Sequence, residues 1–350
     1  MSTTEYDAIL VVSFGGPEAP EEVVPFLENV TRGRNIPRER LEVVGEHYHL
    51  FGGKSPINDH CRELITALEE ELLNHEIDLP VYWGNRNWNP MLTDTVQQMA
   101  DDGVTRAIAF VTSATSSYSG CRQYREDIER AREAVGDAAP EIHKIRQYYD
   151  HPGFIEPMVD HVTSALDSLG ESAVGARLVF TAHSIPTSMS DTSDYEAQLT
   201  EAARLVAEGA ARTDAQRNDF DLVWQSRSGP PQVPWLEPDI NDHLEALHGE
   251  GVDAVVVIPI GFISDHMEVM FDLDTEAKAT AERLGLGFAR AGTVGSDPRF
   301  VSAIVELIEE RRVDGPVRAL GNLEVRPDFC REGCCPAPQR PTGRPASRPT

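Results

Sequence analysis

Ala254 to Ile260, AVVVIPI, is an unbroken apolar run, the mark of a strand buried on both faces of a parallel sheet. A chain holding such a strand must cover it with helices on two sides, which restricts the fold to α/β layering. Gly261 ends the run, and Ser264 and Asp265 offer N-cap side chains for a following helix. Glu268, Asp272 and Glu276 recur every four residues along that helix, so their carboxylates project from nearly one face. Like charges at this spacing cost an isolated helix roughly 0.2–0.5 kcal/mol per pair. A solvated acidic face is the plain reading of such a row. Its place just past the carboxyl end of a buried strand, where open α/β sheets form their ligand crevices, points instead to a ladder of oxygen ligands for a hydrated divalent cation.

The same alternation runs through the rest of the chain. Asp7 to Gly16 reads as a buried strand and glycine turn, with a helix from Pro17 to Val30. The turn GGPEAP lacks the spacing of a dinucleotide-binding loop. TRGRNIPRER follows, an exposed basic loop or an anchor for substrate carboxylates, with Arg32, Arg34, Arg38 and Arg40. Ile57 to Asn74 is an amphipathic helix in which Cys61 is expected to be structural. Strands are expected at 80–84, 105–112 and 142–148. The pattern restarts at Ala176 to Thr181, which runs into AHSIP as the first strand runs into SFGGP, so the two units are expected to occupy one position in two copies of a domain. Strands at 220–225, 254–260 and 285–289 complete the second copy. The expected architecture is therefore α/β, with two Rossmann-like domains at 1–170 and 171–315, each a parallel sheet flanked by helices. A cysteine-bearing extension covers 316–335, and 336–350, rich in proline and arginine, is expected to be disordered.

Charge and cysteine usage narrow the function. A net charge of −27, from 58 acidic against 31 basic residues, repels nucleic acid and anionic lipid. No apolar run approaches the roughly 18 residues of a membrane span, and the first residues lack signal-peptide character. A monomeric, cytoplasmic protein without stable membrane association is expected. Five cysteines are too few for a secreted disulfide scaffold, and the crowding of Cys330, Cys334 and Cys335 suggests metal before disulfide.

His183 falls at the end of one buried strand and Glu268 just past another, so both would face the same crevice. An imidazole there can accept a proton from a substrate N–H while a carboxylate row delivers metal or carries protons away. Inserting a divalent metal into a nitrogen macrocycle, which must lose two N–H protons, needs both at once.

From Ile9 to about Arg312 the chain resembles ferrochelatases, most closely the actinobacterial, coproporphyrin-dependent branch. The segments SFGGPEAPEEVVPFLENVTRGR, HYHLFGGKSPIN, GNRNW, TAHSIP, WQSRSGPPQVPWLEPDI and GFISDHMEVMFDLD carry the resemblance, in order and in register. It implies insertion of Fe²⁺, as substrate, into coproporphyrin III. His183 would be proton acceptor and metal contact, Glu268 the carboxylate facing it across the macrocycle, and Asp272 and Glu276 a metal path on a π-widened helix. Ser55, Tyr124, Arg32, Arg34 and His47 match positions that hold propionates, and Trp235 is expected to pack. Phe14 stands where related Gram-positive enzymes have a tyrosine, which makes it an apolar wall of the porphyrin site and shifts the chemistry onto His183 and Glu268. The resemblance also implies a [2Fe–2S] cluster on Cys121, Cys330, Cys334 and Cys335; a zinc site satisfies the same four thiolates. A protoporphyrin IX ferrochelatase, a chelatase for another metal, and a porphyrin or haem carrier without turnover are the competing readings. The acid-studded helix EAPEEVVPFLENV favours the water-soluble tetracarboxylate substrate.

Overall fold

The computed structural model describes residues 6–338. Its framework is two four-stranded, all-parallel sheets. The first contains β1 (Ala8–Ser13), β2 (Val81–Asn85), β3 (Arg106–Val111) and β4 (Glu141–Lys144) in the order β2-β1-β3-β4. The second contains β5 (Arg177–His183), β6 (Asp221–Gln225), β7 (Ala254–Ile258) and β8 (Gly287–Arg290) in the order β6-β5-β7-β8. β1 and β5 thus hold equivalent places, as the restart of the sequence pattern predicts. Ala8–Ser13 and Ala254–Ile258 are buried at every residue, the consequence of helices on both faces.

The equivalence extends to the turns. The segment after β3 and the segment after β7 each form a π-helix, at Tyr118–Arg122 and Met270–Ala277. The second is the widening expected for the carboxylate row; the first, which carries Cys121, was not anticipated from the sequence.

Helices tie the halves together. Pro152–Ser168 packs on Tyr195–Ala210 and against β7 and β8, whereas the last long helix, Pro298–Val313, packs on both Pro152–Ser168 and Ile57–Asn74. One core accordingly runs through both sheets, with Phe110, Tyr148, Phe154 and Phe300 in mutual ring contact at its centre. Beyond this helix the chain crosses the molecule in extended form. The Leu320 amide donates to the Asp150 carbonyl at 2.9 Å, the Asn322 amide to Glu201 Oε1 at 2.6 Å, and Arg326 pairs with Asp194. It therefore touches both halves before reaching Cys330.

Several expectations require correction. The helix after β7 begins at Met267, and its N-cap is His266, whose Nδ1 accepts the Val269 amide proton, rather than Ser264 or Asp265. The fourth strand stops at Lys144; Ile145 to Tyr148 stay buried beyond it and so resemble strand in the sequence. The basic stretch does not stay a loop throughout, since Arg38–His49 is a helix. The expected disordered tail lies, from residue 339 onward, outside the described residues.

Candidate active site

The carboxyl ends of β5 and β7 bring His183 and Glu268 together, with His183 Nε2 lying 3.8 Å from Glu268 Oε2. His183 Nδ1 lies 2.5 Å from the Ser184 carbonyl, which can only accept, so Nδ1 carries a proton and, in the neutral ring, Nε2 presents its lone pair. The Tyr195 hydroxyl donates to the His183 carbonyl at 3.0 Å, and Tyr195 is itself stacked on buried Trp224. The backbone and ring of His183 are thus both fixed.

Glu268 has a second imidazole beside it. His266 Nε2 lies 3.7 Å from the same carboxylate oxygen, and because its Nδ1 accepts the Val269 amide proton, Nε2 is the N–H side. Burial keeps His266 below the ordinary histidine range. Glu268 therefore sits between an N–H and a lone pair. His266 was not singled out from the sequence, where it reads as one residue of a helix start.

This separation corrects one expectation. A flat macrocycle needs roughly 7 Å between groups on its two faces, twice a contact distance of about 3.5 Å. At 3.8 Å, His183 and Glu268 are too close to face each other across a ring, so any ring that meets both lies to one side of them. The first domain builds an apolar wall: Phe14, just past β1, packs edge-on to Phe26, which also meets Tyr48 and Trp88 edge-on. Burial, with the charge of Glu268 adding to it, pushes the Tyr48 hydroxyl upward, which keeps it protonated beside the carboxylate. Tyr48 was not singled out from the sequence; it lies near the end of the helix Arg38–His49.

The carboxylate row continues from Glu268. Ser226, held at φ +60 in the left-handed region, donates its hydroxyl to Asp272 Oδ2, and Gln225 Nε2 donates to the same oxygen at 3.4 Å. A non-glycine residue in that region costs about 1–3 kcal/mol, and such strain collects at functional sites. Burial pushes the Asp272 carboxyl up to about 7 against these hydrogen bonds, with repulsion from Glu268 and Glu276 adding to the rise. Glu276 is raised as well, by burial first, with the charge of His47 opposing. The His47 ring lies flat on Phe271 at 3.8 Å and 10°, so a helix of the first domain closes directly on the π-helix. If the row carries a cation, Asp272 takes part more fully as the pH rises through about 7 and its carboxyl ionises. Iron-dependent kcat/KM should accordingly rise with pH through a limb near 7, and Asp272→Asn should flatten that limb; an unaltered profile in the variant would remove Asp272 from the path.

The remaining expected residues fall as follows. Arg32 and Arg34 lie exposed after the helix Val23–Val30 and, among the described residues, form no ion pair, unlike Arg38, which holds Glu28 and Glu42. Ser55 is buried, its amide donating to the Pro17 carbonyl at 2.9 Å. Tyr124 is buried beneath Arg86, whose guanidinium sits 4.5 Å above its ring and 5.9 Å from the Phe14 ring. Arg86, paired with Asp127 at 2.9 Å, is a cation that the sequence reading passed over within GNRNW. Trp235 packs on Gly229, where a Cβ would come within 2.1 Å of the indole nitrogen.

The four candidate cluster cysteines also converge. Cys334 and Cys335 Sγ are 3.5 Å apart, and Cys330 and Cys121 perturb each other, the Cys121 thiol being pushed up and the Cys330 thiol down to about 7. Gln147 Nε2 donates to Cys121 Sγ at 2.8 Å, and Arg122 Nη1 to the Cys334 carbonyl at 3.1 Å. Among the described residues no three ligating side chains close tightly enough around a point to hold a single ion. Four thiolates are the ligand count of a two-iron cluster and of a tetrahedral zinc alike. Cys61 stands apart, buried and bonded to Ser13 Oγ at 3.2 Å.

Comparison with known proteins shows the family. Residues 6–312 match the ferrochelatase family model. A coproporphyrin III ferrochelatase of Nocardia farcinica is 56% identical over 97% of this chain and 98% of its own. One from Streptomyces coelicolor is 52% identical over 96% and 95%, and a ferrochelatase of Rhodopirellula baltica 50% identical over 97% of each. Among solved structures, SirB from Bacillus subtilis with Fe³⁺ shares the fold at a TM-score of 0.54 and 14% identity, covering 89% of this chain and 97% of that one. The family model spans both sheets and the identities hold over nearly the whole chain, so the chain belongs to the ferrochelatase family.

Proposed function

We propose that this ferrochelatase inserts Fe²⁺ into coproporphyrin III, releasing two protons and forming coprohaem, as a cytoplasmic monomer. The observation that carries the reading is the fixed imidazole of His183, with its Nε2 lone pair facing Glu268 at 3.8 Å at the head of a carboxylate row. A porphyrin carrier needs anchors for propionates but no such proton acceptor. The unpaired Arg32 and Arg34, together with His47, Ser55 and Tyr124, are proposed to hold the propionates, and Phe14 to line the ring. The names of the actinobacterial relatives support coproporphyrin over protoporphyrin. Among the described residues no helix is long and apolar enough to cross a membrane.

His183 Nε2 takes each pyrrole proton in turn. The resulting imidazolium keeps its Nδ1–H on the Ser184 carbonyl, and the charge of Glu268, 3.8 Å from Nε2, stabilises it. Glu268 passes the proton to Asp272 and Glu276, while Fe²⁺ comes inward along the same row. Two protons leave for one dication gained, so the row's charge is unchanged over a cycle. Binding contacts at the propionates offset the cost of bending the ring so that its nitrogens face the entering ion. Anaerobic insertion with a pH indicator tests this directly: two protons per iron are expected, and no turnover would favour the carrier.

Cys121, Cys330, Cys334 and Cys335 are proposed to hold a [2Fe–2S] cluster. Insertion changes no oxidation state of iron, so the cluster supplies no redox step to it. Its place suggests a tether, since it joins the π-turn after β3 to an extension that also grips Asp150, Glu201 and Asp194. The division at 1–170, 171–315 and 316–335 is kept as a proposal about folding units. Cys121→Ser should lower the melting temperature by about 5 °C or more and expose residues after 315 to protease, a few kcal/mol at about 2–4 °C each. Unchanged melting and cleavage would count against tethering.

A further inference from the structure

We infer that Arg290 is a positioning residue that sets the rotation of the π-helix Met270–Ala277, keeping Asp272 and Glu276 turned toward the cleft. The inference rests on the reading of that row as the iron path. Arg290 ends β8, and its guanidinium reaches two acids that flank the site. Nε donates to Asp274 Oδ1 at 2.6 Å, Nη2 to Asp265 Oδ2 at 2.8 Å and Nη1 to Asp265 Oδ1 at 3.2 Å. Thr293 Oγ1 adds a hydrogen bond to Asp265 Oδ1 at 3.2 Å. The fork is only 17% exposed, so this is no loose surface pair.

Its anchor points explain what it does. Asp265 immediately precedes His266, and Asp274 lies midway between Asp272 and Glu276. Hydrogen bonds of the i→i+5 kind give about 4.4 residues per turn, so a residue two positions away points to the opposite side. Pinning Asp274 to β8 therefore aims its neighbours Asp272 and Glu276 away from β8. Asp265, held by the same guanidinium, fixes the other end of the segment, and His266, Glu268 and Asp272 are carried between the two anchors. A π-helix is a rare, locally wound state that a helix left free would exchange for ordinary α geometry. The clamp supplies a restraint against that rotation, and neither acid is used elsewhere in the proposed mechanism.

The test compares wild type, Arg290→Lys, Arg290→Met, Asp274→Asn and the double variant Arg290→Met with Asp274→Asn, all as full chains. Fe²⁺ and coproporphyrin III are varied separately at a temperature well below the lowest melting point. The expected result is a rise of about tenfold or more in KM for Fe²⁺ with porphyrin affinity unchanged, since a misplacement of about 1 Å can cost that much. Lysine should rescue only in part, because it keeps the charge but not the fork. The double variant should be no worse than the poorer single one. Equal weakening toward both substrates, or lowered melting with unaltered kinetics, would make Arg290 a purely structural residue and overturn the inference. Wild-type turnover in the same assay separates this failure from failure of the functional reading.

Discussion

Replacing His183 by alanine is expected to lower iron insertion by about 10²–10⁴-fold while leaving porphyrin affinity unchanged, the range for loss of a positioned general base. The side chain is 31% exposed at the end of β5, so its removal opens no cavity in the core. Its ring makes one hydrogen bond, to the adjacent Ser184 carbonyl, and the Tyr195 contact is to its backbone and survives truncation. What is lost is the Nε2 lone pair. Porphyrin fluorescence quenching reports binding, and single-turnover absorbance reports insertion. Near-normal insertion in the variant would show that another group takes the pyrrole protons.

Glu268→Gln is expected to be the next most damaging change, on the order of 10²-fold in iron-dependent kcat/KM, the scale of one preorganised electrostatic contact. Glutamine keeps the volume and one carbonyl oxygen but removes the charge set between His183, at 3.8 Å, and His266, at 3.7 Å. In the proposed mechanism this removes both the last carboxylate of the metal path and the counter-charge for the His183 imidazolium. KM for Fe²⁺ should rise while that for porphyrin does not. A variant with wild-type dependence on iron would place the metal path elsewhere.

The framework was legible because the sequence announces buried strands without ambiguity. β1, β5 and β7 are runs that cannot be placed anywhere but between helices, and Ile57–Asn74 follows its apolar period to both ends. The helix Arg38–His49 was not legible, since only Leu41 and Gly45 are buried on it and its charges show no clear face. With that helix went Tyr48. His266, Ser226 and Arg290 were hidden for a different reason: each acts through a contact made by folding, a cap, a left-handed kink or a fork between two acids, and none has a period. Which side of a macrocycle His183 and Glu268 share was equally out of reach, because it depends on how the ends of two different strands sit relative to each other.

The central claim is the substrate, and anaerobic Fe²⁺ insertion with coproporphyrin III and protoporphyrin IX in parallel measures it most directly. A kcat/KM clearly in favour of coproporphyrin III is expected, its four carboxylates being the groups that Arg32, Arg34 and the neighbouring anchors are proposed to hold. Equal rates, or a preference for protoporphyrin IX, would contradict it.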